Sequence, residues 1–140
     1  MVLVHAAYRD TDLHREAATL VEHAFRHRGT FCIAPQNLVE FAAVVTRSRF
    51  VAPAMSGGEV AKVAGILYRS RTLTKIYPKR ATVARAVTEG TRLGVSGPAW
   101  YDLFLAVTMA DNGVDVVVTE NIADFRKFPF VTARRLADAL

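Results

Sequence analysis

The run WYDLFLAVTMADNGVDVVVTENIADF, Trp100 to Phe125, decides the fold. Ser96-Gly97-Pro98 just before it can start a helix, which then runs through Ala110 with Leu105, Ala106 and Met109 on one apolar face. Asn112-Gly113 turns the chain. Val114 to Thr119 (VDVVVT) follows as the most convincing strand in the sequence. Working back toward the N-terminus, the same alternation recurs. Thr72 to Tyr77 is β-prone and stops at Pro78, and Ala81 to Leu93 is helical up to Gly94. Ser56 stands three residues before Glu59, a capping-box pattern that opens a helix running to about Arg71. Pro35 opens another helix with Leu38, Val39, Phe41, Ala42, Val44 and Val45 apolar, after a short buried strand at Thr30 to Ala34. From Asp12, Leu13, Ala17, Leu20, Val21, Ala24 and Phe25 recur at helical spacing until Gly29. Short apolar strands alternating with helices predict an α/β chain with a parallel sheet covered on both faces.

Composition fits one folded domain over residues 1–140, 51% hydrophobic and 22% charged. At this length a chain buries roughly 68–70% of its unfolded surface, so a core needs no disulfide or structural metal, and extended disorder is excluded. A lone cysteine, Cys32, and the absence of zinc-like His/Cys spacing predict a reducing, cytoplasmic setting. No basic segment precedes a long apolar run and no stretch of about 18 apolar residues exists, so neither signal peptide nor membrane span is expected. The net charge of +5 suits a polyanion such as RNA, because neutralising phosphates releases counterions.

In sheets of this kind, function gathers beyond the carboxyl ends of the strands. The strand ending near Ala34 leads into the helix that carries Glu40. The helix after Pro98 carries Asp102 near its N-terminus and runs about 15 residues or roughly 22 Å, answered by a strand of about 20 Å. The chain therefore returns Glu120, Asn121 and Asp124 to the end of the molecule that holds Asp102. Each residue has a second reading. Glu40 shares a stripe with Gln36 and Arg47 that fits a solvated face, Asp124 can cap a turn, and Glu120 can be an ordinary exposed residue. For Asp102 the alternative is the helix N-terminus, worth about 0.3–1 kcal/mol. That is less than the several kcal/mol of burying an unpaired carboxylate beside Leu105, Ala106 and Met109, so a partner or cation explains it better. Carboxylates without nearby Cys or His suit a hard cation such as Mg²⁺ or Mn²⁺, which acidifies a bound water and neutralises phosphate charge. His5, His14, His23 and His27 read as surface.

Four stretches carry a family resemblance: VLVHAAY (Val2 to Tyr8), APQNLVEFAAVVTR (Ala34 to Arg47), the run from Trp100 to Phe125, and KFP (Lys127 to Pro129). The most specific is an Asp in a Leu/Ala-rich helix, then a strand, then Thr-x-Asn-x-x-Asp-Phe. On these the sequence resembles the PIN-domain family, of the VapC toxin type. The resemblance implies a PIN-like three-layer α/β/α fold and an Mg²⁺- or Mn²⁺-dependent endoribonuclease, usually dimeric and inhibited by a cognate antitoxin. Glu40 matches the family's helix-borne glutamate, Asp102 its third acidic position, and Asn121 and Asp124 the element entered through Thr119; Glu120 stands at a variable place. Glu40, Asp102 and Asp124 are thereby the implied metal ligands, with Asn121 positioning water or phosphate. The chain departs from the family in one respect. Met1 stands where the Asn of an Asp-Thr-Asn motif is expected, so the first acidic ligand and the central strand before it are missing, and Asp10 and Asp12 lie too far on to replace them. The expectation is that the native chain starts upstream.

Two functions from different classes follow. The first is a toxin ribonuclease with RNA as substrate and Arg47, Arg49, Arg126 and Lys127 steering it. The second is an inactive PIN-like module that binds RNA or an antitoxin without cutting. A phosphate-accepting receiver domain would need its acceptor aspartate on a middle strand and a paired acidic motif, and neither is present.

Overall fold

The computed structural model describes every residue from Met1 to Leu140 as an α/β protein. Its contacts divide it into two compact units, Met1–Lys75 with Leu140, and Ile76–Ala139. No helix is long and apolar enough to cross a membrane.

The first unit runs α1 (Val2–Ala7), α2 (His14–Arg26), β1 (Cys32–Ile33), α3 (Pro35–Val45), α4 (Gly57–Arg69) and β2 (Thr74–Lys75). Local chemistry sets the helix ends. Ser56 Oγ accepts from the Glu59 N–H while the Glu59 carboxylate accepts from the Ser56 N–H, so the capping box is formed as read. At α3, Pro35 takes the first position and the Asn37 side chain accepts the Ala34 N–H at 2.9 Å. Beyond α2, Gly29 adopts φ 78°, a left-handed conformation that a residue with a Cβ enters only at a cost. Helix α2 buries Ala17, Leu20 and Ala24 and leaves its charges outside. Two apolar clusters form the core: Val4, Phe41, Val45 and Val51 in one, Ala24, Ile33, Leu67 and Leu73 in the other. Strands β1 and β2 pair in parallel, Cys32 opposite Thr74 and Ile33 opposite Lys75. The opening segment is helical, and the His14 Nδ1–H donates to the His5 carbonyl at 3.0 Å, tying the start of α2 to α1.

The second unit runs α5 (Thr82–Arg92), α6 (Ala99–Asp111), β3 (Val116–Val118), α7 (Ile122–Phe125), β4 (Thr132–Arg134) and a 3₁₀ turn (Leu136–Asp138). Helix α6 buries Leu103 and the run Leu105–Met109. Helix α5 packs against it at Gly90, where an added Cβ would lie 2.3 Å from the Trp100 ring. Strands β3 and β4 pair in parallel with Val116 opposite Thr132 and Val118 opposite Arg134. Phe128, almost wholly buried, meets the Phe125 ring edge-on with centroids 6.0 Å apart.

The alternation of helix with parallel strand is as read, but the expected three-layer α/β/α arrangement around one mostly parallel sheet is not evident. Hydrogen bonding forms two separate two-stranded sheets, β1-β2 and β3-β4. Local alternation fixes strand direction but not which strands pair, and the strands are also shorter than expected. The run Val114 to Thr119 was expected to give a strand of about 20 Å, and its paired part spans three residues, about 10 Å.

Candidate functional site

The second unit holds three of the four residues singled out. Asp102 lies in the first turn of α6 and is half-buried. Leu105, Ala106 and Met109, further along the same helix, are all buried. After β3 the chain turns sharply: the Thr119 hydroxyl oxygen accepts the Asn121 N–H at 3.1 Å, and the Asn121 carbonyl accepts the Asp124 N–H at 3.2 Å. The turn makes Asn121, exposed, the residue that opens α7, and places half-buried Asp124 within that helix. Helix α7 packs against α6, so the two helices that carry Asp124 and Asp102 are neighbours. The Thr119 N–H donates to the Arg134 carbonyl at 2.9 Å, which continues the ladder and fixes where the turn begins.

Glu120 has a local structural task. Its Oε1 accepts the Leu136 N–H at 3.0 Å and so satisfies a backbone donor at the start of the C-terminal 3₁₀ turn. Glu40 belongs to the first unit, exposed on α3, and accepts a hydrogen bond of 2.6 Å from Gln36 one turn earlier. Gln36 itself is half-buried.

By donor type, an all-oxygen set suits a hard divalent cation. By placement, no group of three or more His, Cys, Asp or Glu side chains is gathered to hold a metal ion. The residues as arranged do not form a complete metal centre.

Sequence reasoning missed a well-engaged carboxylate, Asp111, the last residue of α6. Its Oδ2 accepts the Thr82 hydroxyl at 2.6 Å, its Oδ1 accepts Arg85 Nη1 at 2.5 Å, and Thr82 Oγ1 accepts the Lys79 N–H at 2.7 Å. Thr82 is fully buried, and the Arg85 guanidinium also lies over the Phe130 ring, 5.5 Å from its centroid. The Thr82 hydroxyl, with Arg85 beside it, holds the Asp111 carboxyl below its ordinary value. The signal available was Asp111 standing at a helix C-terminus, where the dipole disfavours an acid unless a partner offsets it. Asp111 joins α6 to the start of α5, which is a structural task.

An apolar hollow of about 260 Å³ in the first unit, lined by residues such as Leu3, Phe25, Met55 and Ile66, brings no polar group into convergence. Burial pushes the Cys32 thiol up, so little thiolate forms near neutral pH. His27 Nδ1–H donates to the His23 carbonyl, and the two rings stack with centroids 3.9 Å apart at the end of α2. No family model matches this chain, and no curated protein matches it significantly.

Proposed function

We propose that the chain is a metal-dependent endoribonuclease of the PIN-like toxin type, hydrolysing RNA phosphodiesters with Mg²⁺ or Mn²⁺ and held in check by a cognate antitoxin. The observation that carries the reading is the element after β3. A strand ends, Thr119 turns the chain onto Asn121, and Asp124 follows on a short helix packed on the helix of Asp102. This is the resemblance's Thr-x-Asn-x-x-Asp element in the setting that strand-end chemistry uses. The reading assigns Glu40, Asp102 and Asp124 as acidic residues of the site and Asn121 as the polar residue that orients water or phosphate. A homodimer and a three-layer PIN-like arrangement belong to the same proposal.

The lack of a gathered donor group favours a second reading, a PIN-like module that binds RNA or an antitoxin without cutting. Two measurements separate them. Incubation of a labelled RNA with the purified chain and Mg²⁺ or Mn²⁺ gives cleavage that Asp102→Ala reduces by at least about 100-fold, the size of effect expected when a group acting on the reacting phosphate is removed. Titration calorimetry with Mn²⁺ gives a binding heat that Asp102→Ala or Asp124→Ala removes. RNA binding without cleavage and without a Mn²⁺ heat selects the binding module. Cleavage unchanged by Asp102→Ala overturns the assignment of that residue.

A further inference from the structure

Between α3 and α4 the chain carries Thr46-Arg47-Ser48-Arg49-Phe50, five consecutive exposed residues. Phe50 keeps 53% of its surface open. A single exposed apolar residue is ordinary and decides nothing alone. Three features set this ring apart. The Arg49 guanidinium lies over one face, its central carbon 4.5 Å from the ring centroid, while about half of the residue's surface stays open to a planar partner. The turn beneath it is held. The Phe50 and Val51 N–H groups both donate to the Arg47 carbonyl, at 3.0 and 3.4 Å, and Val51 is buried in the cluster with Val4, Phe41 and Val45. The Met55 N–H donates to the Val45 carbonyl at 2.8 Å and closes the base of the segment. Along this stretch of chain the charge is of one sign, since no Asp or Glu stands between Glu40 and Glu59 while Arg47 and Arg49 both do.

An arginine-backed aromatic ring beside a second arginine, on an anchored turn without acids, matches a base and its flanking phosphates. Nucleobases stack on such rings whatever their sequence, and arginines take the backbone charge. An acidic peptide would use the arginines and leave the ring with nothing to do. A duplex keeps its bases stacked on one another and has none to offer. We infer that the Arg47–Phe50 turn is a contact for single-stranded RNA, with one unpaired base on the exposed ring of Phe50 and flanking phosphates on Arg47 and Arg49. The identity of the polyanion rests on the ribonuclease reading. The turn follows directly on the helix that carries Glu40, which ends at Val45.

The test is fluorescence anisotropy of a short labelled oligouridine with the full chain in EDTA, where metal-dependent cleavage cannot intervene. Phe50→Ala weakens binding by about 5- to 100-fold, and Phe50→Trp binds as tightly as the native chain or more so. Arg47→Ala lowers the slope of log affinity against log salt by about 0.7, whereas Phe50→Ala leaves that slope unchanged. Native-level affinity in Phe50→Ala overturns the proposal, as does an equal loss for duplex RNA or the absence of oligouridine binding by the native chain. The outcomes stay separable from those of the nuclease reading. A native chain that cleaves no RNA, with a Phe50→Ala that loses affinity, removes the nuclease and leaves this contact standing. Cleavage together with unaltered Phe50→Ala affinity does the reverse.

Discussion

Asp111 shows how much one side chain can do at a place the hydrophobic pattern does not mark. With its carboxylate 12% exposed, it accepts from a buried hydroxyl and from an arginine that is itself 40% exposed. The Thr82 bond therefore counts for more than the Arg85 ion pair, which solvent screens. Both partners favour the charged form, and the folded-state pKa lies below the unfolded one. The contribution is thus fully present above the unfolded value, about 3.9, and is lost as pH falls through the lower folded value. Asp111→Ala should lower stability at pH 7 by about 1–3 kcal/mol, because it also strands the Thr82 hydroxyl in a buried place. It should also flatten the acid side of the stability profile below about pH 4. Urea denaturation of both proteins from neutral to acid pH checks this, and a stability gap that does not narrow on acidification would show that the carboxylate's charge is not what matters. Glu120 makes a related point. Its chemistry was legible in the sequence, but its partner, Leu136 N–H, lies 16 residues away and no local pattern announces it.

At the scale of elements, what was legible is what is decided locally. Helix α3 starts at Pro35 and ends at Val45 where its apolar run gives way to Arg47-Ser48-Arg49, and α4 starts behind the Ser56 cap. In each case the deciding atoms lie within four residues of the boundary. Strands are different, because a strand exists only where a partner pairs with it. The run Val114 to Thr119 pairs only over Val116–Val118, and β4, three residues with no pattern of its own, exists because Thr132 to Arg134 lies along β3. Helices α1 and α7, six and four residues long, lie below the length at which a helix stands without tertiary support, so periodicity had little to act on. The α4 cap offers a clean check of the local account. Ser56→Ala removes the acceptor for the Glu59 N–H and the Ser56 Oγ bond to the Glu59 carboxylate, while the Ser56 N–H can still reach that carboxylate. The expected loss is about 1 kcal/mol, and Ser56→Asp, which can still cap, should recover most of it. Thermal unfolding of the three proteins decides. Equal losses in Ala and Asp would mean that something other than the cap fixes the start of α4.

For the whole molecule, parallel pairing followed from the strand–helix alternation, but which strands pair did not. Alternation forces successive strands to run the same way, and both pairs obey it. Joining them into one sheet is a non-local matter of packing. The candidate site divides along the same line: Asp102 in a first turn and Asn121 with Asp124 beyond a strand end were legible, because element ends are. Their grouping with Glu40 was an inference from topology, and no three donors are gathered. Net charge, by contrast, is wholly a property of the sequence, and at +5 with a pI of about 9.8 it acts on a polyanion without regard to base sequence. Each phosphate neutralised on a single strand adds about 0.7 to the slope of log affinity against log salt. Three contacts, two of them from Arg47 and Arg49, would therefore weaken RNA binding about 20-fold between 50 and 200 mM salt. Oligomers of different sequence should lose affinity in parallel over that range, since the charge term ignores bases. The share contributed by stacking on Phe50 should survive, so the ratio of native to Phe50→Ala affinity stays constant as salt rises. A ratio that collapses toward one at high salt would mean that the ring acts only by placing Arg49, and that the turn is an electrostatic contact rather than a stacking one.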